Sequence, residues 1–172
     1  SLHPRKNIIN LLKGFNQFKN NSNNAVQLVI SGDFLFQSSE ITSVLSTLEQ
    51  KNQIILTGRL SDEDLNTWLS GAVALTYIPY FEGFGIPLLE AMKCKTPILA
   101  SNVTSLPEVG SDAAIYTNPE SIDDIAKSMS AIYTDEKLRN QLVEKGQTRL
   151  KDFSWDKSAK LLWESIQKTI HT

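Results

Sequence analysis

Val73-Ala74-Leu75-Thr76-Tyr77, then Glu82-Gly83-Phe84-Gly85-Ile86-Pro87-Leu88-Leu89-Glu90, then Pro97-Ile98-Leu99-Ala100: strand, glycine turn opening a helix, strand. The outer runs are short and apolar, as strands covered on both faces are. Pro87 suits the first position of a helix, because its ring fixes a helical φ and its missing N–H has no intrahelical partner there. Leu88, Leu89, Ala91 and Met92 continue the helix as good formers. Two strands joined through a helix make a parallel crossover, so this unit alone points to an α/β fold.

The alternation extends in both directions. Upstream, Ile8, Ile9, Leu11, Leu12, Phe15 and Phe18 recur at helical spacing and run into an Asn20-Asn21-Ser22-Asn23-Asn24 loop. Val26–Ile30 predicts a strand closed by Ser31-Gly32-Asp33, and Ile41–Leu48 a helix. Ile54–Thr57 predicts a strand ended by Gly58, and Ser61-Asp62-Glu63-Asp64 caps a helix through Leu69. Downstream, Ala113–Tyr116 is a short fifth strand, and the last third is helical: Ile122–Tyr133, Glu136–Leu150, and Trp155–Ile170 after Phe153-Ser154. The expectation is a doubly wound parallel sheet with a helical C-terminal third, one domain over residues 1–172. Ligands of such sheets bind beyond the carboxyl ends of the strands, where Gly32, Gly58-Arg59, the Glu82 loop and Ser101–Thr104 gather. A doubly wound domain ordinarily opens on a strand, yet Ser1-Leu2-His3-Pro4-Arg5-Lys6 leads straight into a helix. An opening strand is expected to have been cut away, and the missing initiator methionine points to an excised fragment. Leu161, Leu162 and Ile166, with Trp163 nearby, form an apolar face expected to pack on this domain or on a missing one.

Composition narrows the function. With 172 residues, 41% hydrophobic and 21% charged, the chain can bury a core of its own. A formal charge of -2 gives no electrostatic case for nucleic acid or an anionic membrane surface. Cys94 is the single cysteine, which excludes an internal disulfide and fits a reducing, cytoplasmic setting. No apolar run approaches the ~18 residues of a membrane span. The two histidines, His3 and His171, sit near the termini and there is no Asp-x-Asp pair, so no metal is expected.

The glycine turn carries the chemistry. A helix beginning at Pro87 is expected to leave the N–H groups of Leu88, Leu89 and Glu90 unbonded, and with the macrodipole they make an anion site. Gly83 and Gly85 let backbone approach a ligand closely, and phosphate is the natural tenant. Plainer readings stay open: an ordinary turn for the glycines, and for Glu90 a first-turn carboxylate that compensates the dipole. A nicotinamide fingerprint fits only partly, because Leu88 replaces the third glycine and five residues from Ile78 to Glu82 separate the turn from its strand.

The run Glu82-Gly-Phe-Gly-Ile-Pro-Leu-Leu-Glu90-Ala-Met, followed by Thr96-Pro97-Ile98, Ser101-Asn102 and Leu106-Pro107-Glu108-Val109, resembles the donor-binding half of retaining glycosyltransferases. It is similar to the group 1 enzymes (family 4) with the two-Rossmann, GT-B architecture. The resemblance covers nearly the whole chain, from Pro4-Arg5-Lys6-Asn7 through Gly58, Leu65 and Asp112-Ala113-Ala114 to Phe153-Ser154-Trp155. It implies a Rossmann-like C-terminal domain that binds a nucleotide sugar, UDP- or GDP-linked, and transfers a hexosyl unit to an acceptor hydroxyl with retention, in bacterial polysaccharide synthesis.

The residues carry over by position. Glu90 is implied to hold the ribose hydroxyls and Glu82 to lie against the donor sugar. Backbone N–H groups of Phe84, Gly85 and Ile86 contact that sugar, and the helix start at Pro87-Leu88-Leu89 supports the diphosphate. Lys6 binds the diphosphate and stabilises its charge on departure. Gly58-Arg59-Leu60 lies beside the base, where Arg59 either adds a contact or stays solvated. A second basic residue of many relatives falls at or before Ser1, which is the one departure. The acceptor site, any acceptor-side base and any membrane association are assigned to an absent N-terminal domain, so this chain alone is expected to bind nucleotide without transferring sugar. No metal or other cofactor is implied. A glycoside hydrolase using Glu82 and Glu90 needs no phosphate site. A receiver-type signalling module needs an acidic cluster at its first strands, where only Asp33 stands.

Overall fold

The computed structural model describes residues 3–22, 24–33 and 38–170. Ser1, Leu2 and His171 lie outside the described residues, and with Ser1 the place at or before which the second basic residue falls. Among the described residues five strands form: β1 (Leu28–Ser31), β2 (Ile54–Gly58), β3 (Leu75–Tyr77), β4 (Ile98–Ser101) and β5 (Ile115–Thr117). Each lies within two residues of its predicted bounds. The helices are α1 (Ile8–Asn20), α2 (Ser38–Thr47), α3 (Asp62–Gly71), α4 (Ile86–Lys93), α5 (Leu106–Gly110), α6 (Ile122–Thr134), α7 (Glu136–Arg149) and α8 (Trp155–Ile170). Ser61 caps α3 as its sequence predicts, its hydroxyl accepting the Asp64 N–H at 3.1 Å.

All strand pairs are parallel, and β4 shows why the domain is wound on both faces. It lies between β3 and β5 and is buried at all four residues. Leu99 points into one core with Leu12 and Phe15 of α1 and Ile125 and Met129 of α6. Ile98 and Ala100 point into the other, with Leu88 and Met92 of α4 and Leu106 and Val109 of α5. The period-2 alternation of one strand thus feeds two helical layers. α1 and α6 pack so closely that a Cβ on Gly14 would lie 2.4 Å from Ile125 Cγ2.

The ladders are not continuous. β1–β2 and β3–β4–β5 are separately hydrogen-bonded sheets, joined through α1, whose core also holds Ile30 of β1 and Ile78 just after β3. Backbone contact adds to this: the Tyr80 N–H donates to the Arg5 carbonyl at 2.8 Å, which ties the turn at Pro4–Lys6 to the loop leaving β3.

Of the two expected coverings for the apolar face of the C-terminal helix, this domain and a missing one, the first is not seen among the described residues. No residue of α8 is buried, and Trp155, Leu162 and Trp163 are 86%, 64% and 59% exposed. Both cores form without a residue from it.

Candidate functional site

The α4 turn is set by Gly85. It caps the helix with φ 105 and ψ 43, in the left-handed region, and a Cβ there would lie 2.6 Å from Leu106 Cδ2. Any other residue meets backbone strain and a packed leucine together. Because Gly85 already turns the chain, the helix begins at Ile86, one residue before the predicted start, and Pro87 takes the second position, where its missing N–H is equally harmless. Two expectations change. The Leu88 N–H is taken by the Gly85 carbonyl at 2.9 Å, while among the described residues no acceptor takes the N–H groups of Phe84, Gly85 or Ile86. Three donors without an acceptor among the described residues therefore precede Leu88. Glu90 becomes the fifth helical residue, outside the first turn, which weakens the dipole-compensating reading.

The loop after β4 holds this turn in place. Thr104 Oγ1 accepts the Glu82 N–H at 3.2 Å, and the Ser105 hydroxyl lies 2.9 Å from the carbonyl oxygens of both Glu82 and Phe84. Two of the loops expected to gather at the strand ends are thus in direct contact, through Thr104 and Ser105.

Glu82 is the best-partnered carboxylate of the site. Its Oε2 accepts from Lys6 Nζ at 2.5 Å and from Arg5 Nη1 at 3.2 Å, and the Tyr77 hydroxyl donates to the same oxygen. Lys6 Nζ in turn donates to the Tyr77 oxygen and stands 4.8 Å from that ring's centroid. Burial alone would raise the Glu82 pKa, but hydrogen bonds from Lys6 and Tyr77 and the charges of Lys6 and Arg5 outweigh it and hold the carboxyl at about 2. The Tyr77 phenol moves the other way, pushed up by burial and by its bond to Glu82.

Glu90 stands in contrast. Half-buried on α4, it has no hydrogen-bond donor among the described residues, and burial followed by the charge of Asp62 raises its pKa. Arg59 is exposed and Leu60 half-buried beyond Gly58, whose φ of 69 turns the chain at the end of β2. Phe84 and Ile86 are 45% and 51% exposed. The Phe84 ring rests edge-on against Phe153 at 5.9 Å. Leu88 is fully buried and Leu89 packs against the same core, so their side chains serve the fold. A Cβ on Gly83 would meet nothing within 4 Å, leaving its backbone open to a ligand.

The structure therefore brings together Lys6 and Glu82 at the start of the Gly83–Ile86 backbone, with Glu90 about one helical turn beyond Ile86 on α4. Sequence reasoning did not assign Arg5, Tyr77 or Ser105. Arg5 was signalled only by adjacency to Lys6, and Tyr77 by being a phenol at the carboxyl end of an apolar strand.

Doubly wound sheets commonly take their ligands at the carboxyl ends of the strands, where this cluster lies. Residues 1–149 match the family described as Glycosyl transferases group 1, and the chain belongs to that family. It is 32% identical over 156 residues to the O-antigen chain mannosyltransferase B of Escherichia coli, covering 91% of this chain and 41% of that protein. The chain thus spans less than half the length of this relative. Its fold superposes on the Anabaena HepE structure in complex with UDP-glucose with a TM-score of 0.84 at 19% identity, covering 97% of this chain and 46% of that one. It likewise matches the C-terminal domain of a glycosyl transferase group 1 family protein (LpcC) from Francisella tularensis, with a TM-score of 0.75 at 20% identity, covering 88% of this chain and 80% of that one.

Proposed function

We propose that this chain is the donor-binding half of a retaining glycosyltransferase that moves a hexosyl unit from a UDP- or GDP-linked sugar to an acceptor hydroxyl in bacterial polysaccharide synthesis. One observation carries the reading: Lys6 and Arg5 converge on Glu82, which leads into the N–H groups of Phe84, Gly85 and Ile86 that have no acceptor among the described residues. A diphosphate placed between these groups meets two cations and a row of donors, while the sugar it carries meets the Glu82 carboxylate.

The residues divide the work. Lys6 and the start of α4 stabilise the negative charge that grows on the departing diphosphate, and preorganised charges of this kind cost no rearrangement as the bond breaks. Glu82 orients the sugar hydroxyls, and Glu90, with no donor among the described residues, accepts from the ribose. The Gly58-Arg59-Leu60 loop lies beside the base. This arrangement needs no metal ion, because the lysine, the arginine and the helix start supply the positive field. The acceptor and its positioning groups belong to a second domain, so the chain alone binds nucleotide and transfers no sugar.

Calorimetric titration of the chain with UDP, GDP and ADP tests the reading. Saturable binding of one diphosphate, weakened in Glu90→Ala, supports it. A folded chain that takes up none of the three overturns it, as does sugar transfer by the chain alone at ordinary enzymatic rates.

A further inference from the structure

The Lys6–Glu82 pair is closed by a third group that the proposed function does not use. The Tyr77 phenol, at the last residue of β3, accepts from Lys6 Nζ and donates to Glu82 Oε2. A phenol does both because its oxygen carries lone pairs as well as a proton, which phenylalanine lacks. The triangle is sheltered: the Lys6 and Glu82 side chains are 20% and 14% exposed, against 42% for Arg5, which reaches the same carboxylate from outside. The groups facing Glu82 are thus Lys6 and Arg5 from the N-terminal turn and Tyr77 from β3, with Thr104 on its main-chain N–H.

A diphosphate that engages Lys6 has to draw it from Glu82. Removing the cation from a sheltered carboxylate leaves that charge undercompensated, which costs far more than breaking an exposed pair. A hydroxyl that keeps donating to Glu82 lowers this cost, and its oxygen, under the same ammonium, fixes where Lys6 starts from.

We propose that Tyr77 is a positioning residue of the donor site: its hydroxyl holds Lys6 against Glu82 when the site is empty and keeps Glu82 hydrogen-bonded when Lys6 turns to a nucleoside diphosphate. The phosphate half of this statement rests on the reading of Lys6 given above. Without the hydroxyl, Glu82 depends more on Lys6 and gives it up less readily.

The test is Tyr77→Phe, which deletes one oxygen and keeps the ring, made in the full 172-residue chain and in Lys6→Met. Calorimetry with UDP and with GDP is expected to show about a fivefold loss of affinity from Tyr77→Phe when Lys6 is present, the scale of one hydrogen bond. The same substitution in Lys6→Met is expected to change affinity by less than about twofold. Equal losses in both backgrounds mean a merely structural tyrosine and overturn the proposal, as do an unchanged or a tighter affinity. A second readout needs no ligand: carbon-13 NMR of the Glu82 carboxyl in the empty chain, titrated with acid. Tyr77→Phe is expected to move the Glu82 midpoint upward, and an unmoved midpoint overturns the triangle. Should Lys6→Met bind diphosphates as tightly as the parent chain, the reading of Lys6 fails together with the phosphate half of the proposal, while the carboxyl titration still judges the arrangement around Glu82. Circular dichroism melts of each variant separate all of these from loss of fold.

Discussion

Glu82 and Glu90 lie eight positions apart on one turn and helix, yet their surroundings are opposite. Glu82 is held by two cations and a phenol and is pushed down to about 2, whereas Glu90 has no donor among the described residues and is pushed up by burial and Asp62. The difference separates a carboxylate that the protein satisfies by itself from one left for something else. A half-buried acid without a partner costs folding stability while it is ionised, and such a cost persists where a ligand supplies the missing donors. The two acids therefore invite opposite perturbations.

Removing the charge of Glu90 breaks the comparison most severely. Glu90→Gln is expected to weaken nucleoside diphosphate binding by roughly 10- to 100-fold, since a carboxylate hydrogen bond to ligand hydroxyls is lost. The same variant is expected to melt higher when empty, by roughly 1–3 °C. The sign follows from the raised pKa: the folded state holds the Glu90 proton more tightly, so its ionised form lowers stability once pH rises past the unfolded carboxyl's range. Calorimetry and thermal melts of one preparation check both, and a lower melting temperature for Glu90→Gln would make Glu90 a structural acid.

Backbone comes next. Gly85→Ala meets a φ of 105 and a Leu106 methyl 2.6 Å away, and is expected to cost about 1–3 kcal/mol in urea unfolding and to lower diphosphate affinity. Gly83→Ala, where a Cβ meets no protein atom within 4 Å, is expected to leave stability within about 1 kcal/mol. Its loss of affinity alone would mark the open side of the turn as the ligand's side.

Glu82 is then read by acid. Its pKa is depressed from 4.5 to about 2, so its contribution to stability is fully present above 4.5 and drains away as pH falls from there toward 2. Lys6→Met removes the main compensating partner and is expected to shift that loss to higher pH, seen as a higher acid midpoint by circular dichroism. An unchanged midpoint would mean that Arg5 and Tyr77 alone hold the carboxylate.

The sequence made the strands and the glycine turn legible because both are local. Apolar runs such as Ile54–Thr57 and the Gly85-Ile86-Pro87 step carry their own conformational preference, and the observed bounds differ by a residue or two. The five-residue α5 is too short for helical periodicity to show, and Leu106–Val109 was legible only as part of a resemblance. The covering of the α8 face stayed open between this domain and another because an amphipathic pattern tells which side is apolar and not what covers it. Within the site, Lys6 and Glu82 were legible by position, whereas Tyr77 and Arg5 join them across more than seventy residues of chain. That pairing depends on the Pro4–Lys6 turn being tied to the loop after β3, which no spacing reveals.

The mildest perturbation acts on the turn between the two acids and is expected to leave both carboxyls where they are. The Ser105 hydroxyl lies at 2.9 Å from the carbonyls of Glu82 and Phe84, so it holds the two peptide units between which Gly83 sits. Its single proton is shared between those oxygens, and Ser105→Ala is expected to cost about 0.5–1.5 kcal/mol, the scale of one hydrogen bond. Thr104 still accepts the Glu82 N–H in that variant, so the turn loosens on its carbonyl side alone. Glu82 keeps its cations, which attach to the Pro4–Lys6 turn and not to the Ser105 loop, and its carboxyl midpoint is expected to stay put. Glu90, anchored by the α4 backbone, is unaffected. A modest drop in diphosphate affinity without movement of the Glu82 midpoint would therefore assign the loss to the N–H row of Phe84, Gly85 and Ile86. A shift of that midpoint would instead show that the loop after β4 also sets the ion cluster.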